Sequence, residues 1–148
     1  MSLIEYKKAK LRYAVLETFQ AGLELSGAEV KALRNKQGKL DGSRVVIRGG
    51  EAYIVGMSIP PYQQGNTPAG YNPERNRRLL LKKGEIEELL AGEERKGLTV
   101  VPLEVYNAGR YIKARVAIVR GKNKSDKRED LKLKDAKREM DRALKSRP

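Results

Sequence analysis

The sequence contains no cysteine and no histidine among its 148 residues. Without cysteine the chain can form no disulfide and no zinc or iron–sulfur site built on thiolates. Without histidine it lacks the commonest general base, the commonest metal ligand and every Ser-His or Cys-His nucleophile pair. The densest acidic cluster, Glu85 to Glu94, lies on a predicted surface helix, where solvation explains it better than catalysis. We therefore expect a protein that is not an enzyme and that holds no metal and no cofactor.

Long apolar runs are also missing. No window approaches the roughly 18 consecutive apolar residues that a membrane-spanning helix needs. The segment from Met1 to Arg12 carries only scattered apolar residues among Lys and Glu, unlike the core of a signal peptide. The sequence shows no exposed apolar stripe of the kind that would indicate a homodimer. We expect a cytoplasmic monomer with no membrane partner.

Positive charge is what the chain has in excess, with 32 Lys and Arg against 19 Asp and Glu. The last 28 residues hold 11 Lys and Arg against 6 Asp and Glu, and too few apolar residues to build a core. We therefore predict a folded domain over residues 1–120 and a basic tail over residues 121–148. The tail should stay disordered when free and become helical, from about Asp130, where a surface holds it. Because both parts are basic, the expected partner is one polyanion large enough to contact both, and RNA is such a polyanion.

Short strands separated by turn residues dominate the domain. A capping box at Ser26 and Glu29 predicts a helix start, and Gly49-Gly50 predicts a two-residue hairpin turn. Strands are predicted over 13–25 with a bulge near Gly22, and over 43–48, 51–59, 77–81, 98–106 and 111–120; helices over 27–36 and 83–91; and a long loop over 60–75. The prediction is a mainly β fold with short helices. It is an OB-like antiparallel β-barrel with about three flanking helices and a basic C-terminal tail.

Basic residues cluster at four places, and for two of these clusters solvation is an equally good interpretation. The first comprises Lys7, Lys8, Lys10 and Arg12, flanked by Tyr6 and Tyr13; the second comprises Lys31 and Arg34; the third comprises Arg75, Arg77 and Arg78; and the fourth comprises Lys113, Arg115, Arg120, Lys122 and Lys124. Lys and Arg pair with phosphates, and tyrosine rings stack on bases. A solvated terminus explains the first cluster equally well, and a solvated helix face explains the second. The adjacent arginines of the third are hard to explain by packing, so there we favour RNA contact.

Five motifs follow one another along the chain: Glu-Thr-Phe-Gln-Ala-Gly-Leu at 17–23, Gly-Ala-Glu-Val-Lys-Ala-Leu-Arg at 27–34, Arg-Leu-Leu-Leu at 78–81, Lys-Gly-Leu-Thr-Val-Val-Pro-Leu at 96–103 and Asp-Lys-Arg-Glu-Asp at 126–130. In this order they resemble the SsrA-binding protein (SmpB) family. The resemblance runs in register from about Lys7 to Leu144. It implies an OB-like barrel that binds the tRNA-like domain of transfer-messenger RNA and enters the A site of a stalled ribosome. It also implies that the tail senses the decoding centre and the empty mRNA channel.

The resemblance also implies which residues act. The positions that grip RNA correspond to Tyr6, Gln20, Leu80 and Lys113, with Lys7, Lys31, Arg34, Arg78 and Arg115 as electrostatic support. The motif Asp126, Lys127 and Arg128 is expected to contact ribosomal RNA. On charge alone we add Lys8, Arg77 and Lys122 to the predicted RNA contacts, and Lys132, Lys134, Lys137, Arg138 and Arg142 to the predicted ribosome contacts of the tail. Tyr6 stands where the family usually has Asn, and Gln20 where it usually has an acidic residue. A structural ribosomal protein or general RNA-binding barrel, and more remotely a ribonuclease, are the alternatives.

Overall fold

The computed structural model describes residues 2–63, 65, 69–122 and 137–138. Within them the chain forms seven strands and three helices. In chain order these are β1 (Ser2–Glu5), α1 (Ala9–Arg12), β2 (Tyr13–Leu23), α2 (Gly27–Arg34), β3 (Arg44–Arg48), β4 (Glu51–Val55), β5 (Arg77–Leu80), α3 (Lys83–Glu94), β6 (Leu98–Ala108) and β7 (Tyr111–Gly121).

All seven strands join one antiparallel sheet in the order β1-β6-β7-β2-β5-β4-β3. The sheet curls so that β3, at one edge, packs beside β6, which is next to the other edge. No ladder joins β1 to β3 among the described strands, so the barrel stays open. The helix α3 packs against β3, β6 and β7. The architecture confirms the prediction of a mainly β, OB-like fold with short helices.

The core lies inside the curled sheet and under α2 and α3. Fully buried members include Leu33 of α2, Leu89 of α3, and Ile54, Leu79 and Val116 of the sheet. The helix α3 approaches β7 so closely that Gly92 is buried against Ile118. Burial of apolar side chains at about 25 cal/mol per Å² is the main force holding these layers together.

The local signals at Ser26 and Gly49-Gly50 are confirmed. The Ser26 hydroxyl accepts a hydrogen bond from the Glu29 N–H at 3.3 Å, and the Glu29 carboxylate accepts one from the Ser26 N–H at 2.8 Å. Gly49 and Gly50 both have positive φ, +59° and +76°, as the β3–β4 turn requires. The bulge in β2 is not near Gly22, where it was predicted, but between Val15 and Glu17.

The N-terminal strand and helix were not predicted. β1 pairs with β6, although its four residues carry no alternation long enough to detect from sequence. The short helix α1 follows, and Lys8, Lys10 and Arg12 are exposed around it. The first basic cluster therefore lies on an ordered, exposed surface.

The chain remains part of the sheet at the start of the predicted tail. Gly121 belongs to β7, and the Lys122 N–H donates to the Arg12 carbonyl oxygen at 2.8 Å. Of the tail predictions, only Lys137 and Arg138 fall in the described part, where both are helical and exposed. The others, Asp126, Lys127, Arg128, Lys132, Lys134 and Arg142, lie outside the described residues. No helix in the described part is long and apolar enough to cross a bilayer.

Candidate nucleic-acid interface

The outward face of β7 carries a row of large polar side chains. Alternation along the strand buries Ile112 and Ala114 in the core and turns Tyr111, Lys113 and Arg115 towards the outside. Lys113 is half-buried, whereas Tyr111 and Arg115 are exposed. The predicted positions of Lys113 and Arg115 on one strand face are therefore confirmed.

Lys113 lies in line with residues of the next two strands of the sheet, β2 and β5. In the register of the sheet it is opposite Gly22 of β2, which is in turn opposite Leu80 of β5. Gln20 lies two residues before Gly22 on β2, opposite Arg115. We call Gln20, Gly22, Leu80 and Lys113 the central patch. The structure thus brings together three of the four positions that the resemblance assigns to RNA gripping.

Gly22 leaves room for the Leu80 side chain. A Cβ built at Gly22 would lie 3.2 Å from the Leu80 Cβ and 3.3 Å from its Cδ1, closer than ordinary contacts. With glycine there, Leu80 lies over β2 and remains 48% exposed. Exposure of this apolar side chain to water is unfavourable, so its burial against a ligand would be favourable. Leu80 is therefore available for contact with a ligand.

Two open grooves meet at the central patch, and both include Gly22, Leu80 and Lys113. The first is also lined by Gln20, Arg78, Lys82 and Lys83, together with Glu51 and Glu85. The second is also lined by Leu23, Leu25, Val30, Arg34, Arg110, Tyr111 and Ile112. The second groove therefore has cationic, aromatic and aliphatic walls but no acidic residue.

The cations of this surface differ in how far they are already paired. The Lys113 ammonium makes no ion pair and no hydrogen bond with the described residues. Arg115 is held by Glu104, with Nη1 2.9 Å from Oε1, and its guanidinium lies 6.0 Å from the Tyr106 ring centre. Arg78 Nε lies 3.6 Å from carboxylates of both Glu24 and Glu51. Of these three cations, Lys113 is therefore the one whose charge is least compensated.

The second basic cluster reaches the same surface from α2. Lys31 and Arg34 are both exposed. Arg34 Nη2 donates to the Arg110 carbonyl oxygen at 3.1 Å, which links the end of α2 to the turn between β6 and β7. Arg34 lines the second groove, whereas Lys31 lines neither.

The prediction that Arg77 contacts RNA is wrong, because its side chain is fully buried. Its Nε donates to Glu29 Oε2 at 2.7 Å, Nη1 to the Met57 carbonyl oxygen at 2.7 Å, and Nη2 to the Pro73 carbonyl oxygen at 2.8 Å. Arg77 and Leu79 point inwards along β5, while Arg78 and Leu80 point outwards. Packing in the interior therefore explains Arg77 but not Arg78, although the sequence favoured RNA contact for both.

Glu29 is the centre of this buried cluster. Burial alone would raise the pKa of its carboxyl group, but hydrogen bonds from the Ser26 N–H and from the Arg75 and Arg77 guanidiniums outweigh that effect and lower it. Glu29 therefore stays ionised at neutral pH. The cluster ties the start of α2 to β5 and to the loop that precedes it.

Tyr6 cannot stack on a base as predicted, because its ring is only 5% exposed. The ring packs edge-on against Tyr13 with centroids 6.4 Å apart, and its hydroxyl accepts a hydrogen bond from Arg12 Nη1 at 3.3 Å. Burial and the neighbouring Tyr6 raise the pKa of Tyr13. These tyrosines support the turn into β2 rather than offer a free face.

The remaining predicted cations lie around α1 rather than at the central patch. Lys7 and Lys8 are exposed there, and Lys122 Nζ donates to the Lys10 carbonyl oxygen at 2.7 Å. None of these residues lines either groove. In the described ranges no group of three or more acidic side chains gathers as a metal site.

Sequence reasoning missed Gly22, Arg110 and Tyr111 as parts of this surface. Tyr111 had a usable signal, because it is two residues before Lys113 on the same strand face and two residues after the turn glycine Gly109. Gly22 was interpreted as a bulge, since a close approach to Leu80 depends on strand pairing that no local pattern reveals.

Comparison with known proteins gives consistent matches over nearly the whole chain. The family model described as SmpB protein matches residues 3–146. The SsrA-binding protein of Microcystis aeruginosa is 41% identical over 143 residues, covering 97% of this chain and 93% of the relative. The SsrA-binding protein of Listeria welshimeri is 44% identical over 141 residues, covering 95% and 91%.

A solved structure is similar as well. A chain from the structure called "tmRNA-SmpB: a journey to the center of the bacterial ribosome" shares 38% sequence identity with this chain and superposes with a TM-score of 0.70. The match covers 88% of this chain and 95% of the other. The likeness therefore includes the described domain and not only a local motif.

Proposed function

Because the chain belongs to the SmpB protein family, we propose that it binds the tRNA-like domain of transfer-messenger RNA and delivers it to the A site of stalled ribosomes for trans-translation. The family consists of RNA-binding proteins, not enzymes. A protein with this function works in the cytoplasm, where ribosomes translate. Similarity to SsrA-binding proteins and to a chain of a tmRNA-SmpB structure supports this function over that of a structural ribosomal protein.

The observation that carries the proposal is the convergence of Gln20, Leu80 and Lys113 around Gly22 on one open face of the sheet. An unpaired ammonium, an exposed aliphatic side chain and an amide can contact phosphate, ribose and base edges of a folded RNA. The barrel presents them on a paired sheet, so little conformational entropy is lost on binding.

The test is the affinity of the full-length Lys113→Ala variant for the transcribed tRNA-like domain. Losing a hydrogen bond to a charged group costs about 1.5–3 kcal/mol, which corresponds to a ~10- to ~150-fold weaker complex. The control is Lys39→Ala, since Lys39 is exposed and lines neither groove. An unchanged dissociation constant for Lys113→Ala, or an equal loss in the control, would remove the central patch from the proposal.

The basic tail forms the second part of the proposal. We assign the sensing of the empty mRNA channel and decoding centre to the residues after Lys122, because they are basic and too poor in apolar residues to form a core. Lys122 is the natural boundary, since its N–H still bonds to Arg12. A chain ending at Lys122 should bind the tRNA-like domain normally but fail to support peptide tagging on stalled ribosomes. Tagging by the shortened chain would refute this division.

A further inference from the structure

Tyr111 has the most exposed side chain among the large apolar and aromatic residues of the described chain, at 73%. It is the first residue of β7 and faces the same side of the sheet as Lys113. Single exposed apolar residues are common and need no explanation. Tyr111 differs because it lies in the wall of the second groove, beside Leu80 and Lys113 of the central patch.

The backbone that carries Tyr111 is held on two sides. Tyr111 pairs with Ala108 across the β6–β7 turn, and Arg34 of α2 donates to the carbonyl oxygen of the turn residue Arg110. A tyrosine displayed from an anchored hairpin has only two side-chain torsions to order when it binds a ligand. The backbone at the edge of the groove is therefore pre-organised, and only the ring has to be ordered.

The chemistry of the groove selects the ligand. Its lining includes the guanidiniums of Arg34 and Arg110 and the ammonium of Lys113, and it contains no carboxylate. Cations beside an aromatic face and an aliphatic wall suit a nucleobase whose flanking phosphates need neutralising. A paired base offers no such face, because both its faces are covered within the helix. An unpaired base from an RNA loop or bulge does.

We propose that Tyr111 is a stacking platform for one unpaired base of the bound RNA, with Arg110 and Lys113 contacting the phosphates beside that base. This inference rests on the proposed function and names a contact within it. It extends the interface past Lys113 to the β6–β7 turn, so that the RNA lies along β7 rather than across α3.

The chain contains no tryptophan, so Tyr111→Trp creates a single indole reporter. Stacking on a base quenches indole emission, and tryptophan preserves the platform. In the full-length Tyr111→Trp variant we expect near-normal affinity for the transcribed tRNA-like domain and strong quenching at saturation. The control is Leu90→Trp, at an exposed position on α3 outside both grooves, where emission should not change. A fully paired RNA duplex should leave the emission of the indole at position 111 unquenched.

Affinity gives the second measurement. Base–aromatic stacking is worth about 1–3 kcal/mol per base, so Tyr111→Leu should weaken binding ~5- to ~150-fold while Tyr111→Phe binds like the wild type. If Tyr111→Leu keeps wild-type affinity, or the indole at position 111 is unquenched in a saturated complex, the platform is refuted. If Lys113→Ala still weakens binding in that case, the proposed function stands without it. If the wild type does not bind the tRNA-like domain at all, both ideas fail.

Discussion

The two adjacent arginines of β5 should differ sharply in what they contribute to stability. Replacing Arg77 with Met removes the guanidinium that bonds Glu29 and two backbone carbonyl oxygens in the interior. Glu29, only 1% exposed, then keeps the Ser26 N–H and Arg75 as its partners. Breaking a buried ion pair from one side typically costs about 3–5 kcal/mol. Here Glu29 loses its one fully buried cationic partner, and the Met57 and Pro73 carbonyl oxygens lose their guanidinium donor.

Arg78→Met provides the matched control. The same residue type is changed one position along the chain, but Arg78 is 43% exposed and its two carboxylate partners are each 3.6 Å away. Exposed pairs of this kind contribute about 0–1 kcal/mol. The two variants therefore separate burial from charge, since each removes a single positive charge from β5.

Urea denaturation of both full-length variants, followed by far-UV circular dichroism, measures the difference. For an m-value of about 2 kcal/mol per M, a loss of 3–5 kcal/mol lowers the urea midpoint by about 1.5–2.5 M for Arg77→Met. The midpoint for Arg78→Met should fall by no more than about 0.5 M. Equal shifts in the two variants, or a loss under about 1 kcal/mol for Arg77→Met, would refute the structural role of the buried cluster.

Other perturbations test the packing and the charge of the domain. Because the pKa of Glu29 is lowered from its ordinary 4.5, its ionised form stabilises the fold above that pH, and this contribution is lost as the pH falls through the folded value. The urea midpoint should therefore fall on acidification below about pH 4.5, and less so in Glu29→Gln, which has no carboxyl group to protonate. Gly92→Ala should cost about 1–2 kcal/mol in the same assay, because the new Cβ would lie 2.8 Å from the Ile118 Cδ1. Gly84→Ala in the same helix, with open space around it, should instead gain about 0.5–1 kcal/mol. RNA affinity should fall with salt at a log–log slope of about −0.7 to −0.9 per neutralised phosphate, and Lys113→Ala should make that slope shallower by about one phosphate.

The elements that the sequence predicted well are those with a strong local signal. The capping box at Ser26 and Glu29 and the Gly49-Gly50 turn depend on contacts within four residues, so they can be recognised without knowing the fold. The strand β1 has only four residues and is stabilised by pairing with β6, about a hundred positions away. Its existence is decided by tertiary pairing that no local window contains.

The capping box also shows how a correct local prediction can hide a larger role. Glu29 was identified only as the third residue of a helix start. In the fold the same carboxylate receives Arg75 and Arg77 from a segment more than forty residues later. Glu29 Oε1 accepts hydrogen bonds from both the Ser26 N–H and Arg75, and Oε2 accepts one from Arg77, so a single carboxylate serves the cap and both ion pairs. The sequence pattern reveals the capping role, because Ser26 is three residues away. It does not reveal the ion pairs, because their arginines are distant in the sequence.

The assignment of cations to core or interface depends on whether the strand has a readable alternation. In β7, small and branched apolar residues alternate with Lys113 and Arg115, so their outward direction follows from the sequence. In β5 the arginines precede Leu79 and Leu80 and a further leucine, and a run of identical apolar residues does not show which ones face the core. From the sequence alone, either arginine could face the core or the solvent. The decision between Arg77 and Arg78 comes from the buried carboxylate that only one of them can reach, which is a property of the packed structure.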